Sequence, residues 1–169
     1  VYPSMQLGGT AAQLFDQVRD GTVDATWTNP GFKPGSFTKT EVFELPFMVK
    51  GAEGGSRALW EFIQANAMDE YRGVKVLWVA ITDPQLLHFS NKNVRTLEDS
   101  ANLKVRAPSR YAAKGLTALG MATVQLPSMA ITESLSKGVI DGTMMTWSGV
   151  PMLKLDEVTK FHLDVPEGQ

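Results

Sequence analysis

One arginine carries the clearest chemistry in this chain. Leu103, Val105 and Ala107 alternate with Lys104 and Arg106, the period-two pattern of a short strand, and Pro108 with Ser109 stops it. Arg106 therefore stands at a strand end. A guanidinium is a planar fork that grips a carboxylate through two parallel charge-assisted hydrogen bonds, which fixes orientation as well as adding affinity; lysine does not copy that geometry. A second edge has the opposite character. Thr143-Met144-Met145-Thr146-Trp147 follows Asp141-Gly142, and thioether and indole surfaces match apolar or aromatic groups. Met144 and Met145 point to opposite faces of a strand, so at most one of them, taken as Met145, faces a cleft. Trp147 follows the strand's carboxyl end and is read as a pocket residue in preference to core. Together these types suit an acid with an apolar or aromatic body.

Other chemistries find little support. His88 and His162 are the only histidines, and no serine lies in a Gly-x-Ser-x-Gly elbow. There is no His-x-x-x-His and no cysteine pair for a transition metal. Gly8-Gly9 and Gly54-Gly55 lack the lysine and hydroxyl that a phosphate loop needs. No nucleotide site is expected. His88 is more readily a satisfied strand histidine than a ligand contact. The competing enzymatic reading is an α/β enzyme in which Arg106 holds an acid substrate and His88 is the general base, which requires His88 within hydrogen-bond reach of that acid. Arg110, one helical turn beyond Arg106, is either a helper to the anion or a surface arginine.

The elements that must position these groups follow from periodicity. From Ser109 the spacing turns helical (Ala112, Leu116, Leu119), with Ser109 as N-cap and Gly120 as the stop. Thr123 to Leu126 reads as a strand, and Pro127-Ser128 opens a helix carrying Ile131, Glu133 and Leu135 that closes at Lys137-Gly138. The next strand begins at Val139. This alternation is an α/β plan, whose ligands lie at the carboxyl ends of strands. Upstream, residues 11–18 show a helical apolar face and residues 23–27 a strand that leads into the loop Thr28-Asn29-Pro30-Gly31. Trp27 at that strand's end is either core or pocket wall. Residues 55–68 read as a helix, and residues 74–81, a nearly continuous apolar run, as a strand buried on both faces.

The segments LKVR, LGMATVQLP and SLSKGVIDG, preceded in order by VYPSMQLGG, DGTVDATW and FELPFM, resemble the substrate-binding proteins of tripartite ATP-independent periplasmic (TRAP) transporters, of the dicarboxylate-type (DctP) family. The match spans nearly the whole chain. The resemblance implies a two-lobed periplasmic-binding-protein-like α/β fold with the ligand cleft between the lobes. It assigns to Arg106 the two-pronged salt bridge with the substrate carboxylate, and to Pro46-Phe47 a place either in the pocket wall or in a buried turn. It further implies closure of the lobes around a small organic acid, delivery to TRAP membrane subunits, a periplasmic location and no cofactor; a ligand-sensing role without transport stays open. Two departures concern the ligand. Sialic-acid-binding members carry a second arginine where Leu86 stands here, and an asparagine where this chain has Thr143-Met144-Met145, so a sugar acid is disfavoured.

Composition is compatible with this and selects little. A net charge of −2, with no basic cluster, argues against nucleic acid or an anionic membrane as partner. Zero cysteines exclude a disulfide framework and thiolate metal sites and leave the compartment open. A two-lobed reading places residues 1–86 in the first lobe and 87–169 in the second, to within several residues, with the crossing near Thr82-Asp83-Pro84. Val1-Tyr2-Pro3 reads as the end of a strand and Pro166 to Gln169 as a stop without a terminal element. The chain is accordingly expected to be an internal fragment truncated at both ends, whose uncovered edges favour self-association.

Overall fold

The computed structural model describes residues 1–2 and 5–164. In the first half, the expected helix over 11–18 begins as a 3₁₀ turn (Ala11–Gln13) and continues as α1 (Leu14–Arg19). The helix expected over 55–68 is α2 (Ala52–Phe62), which loosens into a wider π turn (Ile63–Ala67) and then a 3₁₀ turn (Met68–Tyr71). Their apolar faces meet in one core of Phe37, Leu59, Ile63, Ala67 and Tyr71, with Phe15 set edge-on to Phe37 at 5.0 Å between ring centroids.

The two strands expected in this half do not form. Residues 23–27 and 74–81 belong to no strand, though both segments contribute to the lining of one groove of about 290 Å³, where the Trp27 and Trp78 ring centroids lie 6.1 Å apart. An apolar run signals burial, whereas a strand also needs a hydrogen-bonding neighbour on its edge. Among the described residues neither segment has one. The proposed strand end at Val1-Tyr2-Pro3 and the stop at Pro166 to Gln169 fall partly or wholly outside the described residues.

The second half is a mixed sheet with helices on both faces. Strands β1 (Gln85–Phe89), β2 (Lys104–Arg106), β3 (Ala122–Val124), β4 (Gly142–Thr146) and β5 (Phe161–Leu163) stand in the order β3-β2-β4-β1-β5. β2 is parallel to β3 and β4, and β1 is antiparallel to β4 and β5. Helix α3 (Arg110–Ala118) starts where expected, because the Ser109 hydroxyl accepts the Ala112 N–H at 3.3 Å; it ends before Gly120, whose φ of +84° suits glycine. Helix α4 (Ile131–Ser136) follows a 3₁₀ turn (Ser128–Ala130), and α5 (Gly149–Met152) follows β4. β4 starts at Gly142 rather than Val139, since Gly138 turns the chain at φ +68° and leaves Val139 exposed.

Strand alternation divides the sheet into two faces. Leu87, Phe89 and Val105 pack with Leu116 of α3, joined by Met144, Phe161 and Leu163. The opposite face supplies Val124 and Met145 to a core of Ile131, Leu135, Val150, Leu153 and Leu155 around α4 and α5. Gly142 is needed at the β4–β1 contact: a Cβ there would lie 2.6 Å from Phe89 Cδ1 and 2.9 Å from the His88 carbonyl oxygen.

Candidate anion-binding site

Strand register draws several candidate residues into one line. Val124, Arg106, Thr143, His88 and His162 are successive cross-strand partners from β3 to β5, and partners across a ladder project from the same face. Met145 and Trp147, two and four residues after Thr143, belong to that face by alternation. Arg106, His88, Met145 and Trp147 are therefore brought together. Trp27 and Phe47 are not: both sit in the first half, 79% and 74% exposed, and Phe47 holds a left-handed φ of +64°.

Arg106 is 4% exposed. Its Nε donates to the Leu126 carbonyl at 3.3 Å, Nη1 to the Met144 carbonyl at 3.3 Å and Nη2 to the Ser128 hydroxyl at 3.4 Å. All three exceed the usual range for N–H···O bonds. Of the five N–H donors of a guanidinium, three are thus engaged and one remains on each terminal nitrogen. Among the described residues no carboxylate pairs with Arg106. Burial alone pulls the guanidinium down to about 10, so it stays charged at neutral pH. A buried, charged arginine held only by neutral acceptors is an incomplete ion pair.

The other end of the row is closed. His88 is 0% exposed, with Nε2 3.0 Å from the Met145 carbonyl and Nδ1 2.8 Å from His162 Nδ1. A carbonyl only accepts, so Nε2 carries the proton, Nδ1 accepts, and His162 Nδ1–H donates. Burial pushes the His88 imidazole below its ordinary value; the Met145 hydrogen bond opposes this and the His162 charge adds to it. Trp147, 47% exposed, packs against both imidazoles at centroid separations of 5.0 and 4.9 Å. Met145 is half-buried against the α4–α5 core, and Met144 against the opposite one. Leu86 pairs with Met145 across β1 and β4.

Thr143 and His162 in this row, and Ser128 beside Arg106, were given no site role by sequence reasoning. Ser128 reads as a helix opener, and nothing local says that its hydroxyl will meet an arginine. Arg110 does not join the anion site; it pairs with Glu41 from the first half. Neither the groove beside Trp27 nor a hollow of about 310 Å³ bounded by Met48, Val49, Lys50 and Ala58 includes Arg106.

Comparison with known proteins gives the family and the fold. Residues 1–167 match the family of bacterial extracellular solute-binding proteins, family 7 (DctP). A TRAP solute-binding protein from Rhodoferax ferrireducens, in complex with copurified benzoate, superposes with a TM-score of 0.93 at 45% identity, over 97% of this chain and 51% of that one. A marine metagenome TRAP solute-binding protein specific for aromatic acid ligands, in complex with 3-hydroxybenzoate, gives 0.91 at 45% identity, over 95% and 50%. A third, from Bordetella bronchiseptica with bound (R)- and (S)-mandelate, gives 0.83 at 31% identity, over 91% and 50%. The chain thus spans about half the length of each. No helix among the described residues is long and apolar enough to cross a membrane.

Proposed function

Because this chain belongs to the DctP family of bacterial extracellular solute-binding proteins, we propose that it carries the carboxylate-recognising site of a TRAP solute-binding protein. In this reading the protein captures a small aromatic acid in the periplasm and presents it to TRAP membrane subunits, without catalysing a reaction. Arg106 is the observation that carries the proposal: a buried guanidinium with a free N–H on each terminal nitrogen is matched by one carboxylate, which completes the ion pair that the fold leaves open. Trp147 supplies an aromatic wall, and Leu86 and Met145 keep the neighbourhood apolar. The aromatic acids in the related structures, benzoate, 3-hydroxybenzoate and mandelate, fit that description. Trp27 and Phe47 are assigned to the facing lobe, and the remaining walls to protein outside this chain.

The lobe boundary near residue 86 is part of the same reading, supported by the separation of the cores: the first gathers apolar residues up to Ile81 and the second begins at Leu87. A general-base role for His88 has less support, since both its ring nitrogens are already engaged. A thermal-shift screen of the full-length protein tests the ligand class. Benzoate and its hydroxylated relatives should raise the melting temperature; a rise with sialic or uronic acids alone would contradict the apolar pocket.

A further inference from the structure

The chain holds one ion pair, among the described residues, that joins its two separate cores. Arg110, the first residue of α3, donates from Nη2 to Glu41 Oε2. Glu41 belongs to a 3₁₀ turn (Thr40–Glu44) of the first half, and its carboxylate is 0% exposed. Nothing in its own core satisfies it: Oε1 has no hydrogen-bond partner, and the one donor to Oε2 comes from the other core. The Tyr111 ring also packs on the guanidinium, 4.8 Å from its centroid, with Nη2 donating to the Tyr111 hydroxyl at 3.2 Å as well.

A second carboxylate stands beside the pair. Burial pushes Glu44 above its ordinary value; the Ser109 hydroxyl opposes this, Glu41 adds to it, and Arg110 and the Gly31 N–H oppose it. Gly31 leaves room for that carboxylate, which a side chain at 31 would strike. Ser109 and Arg110, the N-cap and first residue of α3, supply the side chains that meet these two acids. Arg110 and Arg106 are four residues apart on the same connection, so whatever holds Arg110 against the first core also fixes the position of the anion site relative to it.

We propose that Arg110 and Glu41 form a clasp between the lobes, with Glu44 at its side, that favours the closed cleft and lengthens the residence of the bound acid. The function assigned to the clasp rests on the solute-binding reading above; its effect on lobe separation does not. Opening the lobes rehydrates both charges, and closing them makes a pair that each lobe lacks alone. Such a pair contributes little to fold stability for its burial cost, and its value lies in selecting one arrangement of the two bodies.

The test uses the full-length protein, which has no cysteine in this portion, carrying spin labels at Glu53→Cys and Lys137→Cys, both exposed and one in each lobe. Pulsed electron resonance then reads the distance between lobes without any ligand. The variant Glu41→Gln/Arg110→Gln, which leaves no lone buried charge and so guards against misfolding, should shift the distribution to longer distances. In stopped-flow with benzoate as the probe, Glu41→Gln and Arg110→Gln should each raise the dissociation rate about tenfold with association changed less than about threefold, and the double variant should be no worse than either single one. An unchanged distance distribution in the double variant overturns the clasp. So does a double variant whose dissociation effect is the product of the two single ones. Failure of the solute-binding reading looks different: the parent ignores benzoate while the distance shift persists.

Discussion

Replacing Arg106 by methionine should separate folding from binding. At about 1.36 kcal/mol for each pH unit, the fall of the Arg106 guanidinium to about 10 represents a burial cost on the order of 3 kcal/mol. Against that stand three hydrogen bonds of 3.3, 3.3 and 3.4 Å, each worth about 0.5–1.5 kcal/mol and, at these lengths, toward the lower figure. Methionine carries no charge and, being shorter, gives up some packing. The ligand-free Arg106→Met variant should therefore lie within about 1–2 kcal/mol of the parent. Binding should suffer far more, because loss of a buried charge-assisted pair costs about 2–5 kcal/mol, at least about thirtyfold in affinity. Urea denaturation of the full-length protein with and without benzoate reads both. At one hundred times the parent's Kd, benzoate stabilises the parent by about 2.7 kcal/mol, and the variant should gain less than about 1. If the ligand-free variant loses more than about 3 kcal/mol, the cost of breaking a complete buried pair, Arg106 is a structural ion-pair member and the reasoning fails. Retention of the full benzoate gain would refute it equally.

Gly142→Ala should destabilise the protein by about 1–3 kcal/mol, read by denaturant midpoint, because the new Cβ meets the His88 backbone oxygen as well as the Phe89 ring; a neutral outcome would mean that β4 and β1 can part without penalty. His88 should titrate below its ordinary value of about 6.5 in a histidine NMR titration. Since its folded pKa is depressed, the unfolded chain takes up the proton first: stability is fully present above about 6.5 and declines as pH falls from there toward the folded value. A folded His88 titrating at or above 6.5 would contradict the buried Nε2–H···O=C arrangement. The isolated 169-residue chain should associate, because Trp27, Leu77 and Trp78 are exposed beside a backbone groove without a ladder. Light scattering that reports a monodisperse monomer would rule this out.

Local signals made the second half legible. Arg106 at a strand end, Ser109 as N-cap and Gly120 as stop are each set by neighbours within a turn or two, so periodicity and capping chemistry suffice. The row from Arg106 through Thr143 and His88 to His162 was hidden, because it depends on the register of four strands, and register is fixed by packing rather than by any one segment's composition. Residues 74–81 show the converse. Their apolar run is as strand-like as any in the chain, yet no neighbour among the described residues completes a ladder. Glu41 gave no signal, since a carboxylate in a short turn reads as solvated until the fold brings Arg110 onto it.

A crystal structure of the full-length protein with benzoate tests the central claim most directly. Both carboxylate oxygens should lie within about 3 Å of the Arg106 terminal nitrogens, the spacing of a charge-assisted fork, with the aromatic ring toward Trp147. A benzoate held elsewhere, in the groove beside Trp27 and Trp78 for example, with Arg106 still donating only to Leu126, Met144 and Ser128, would contradict it.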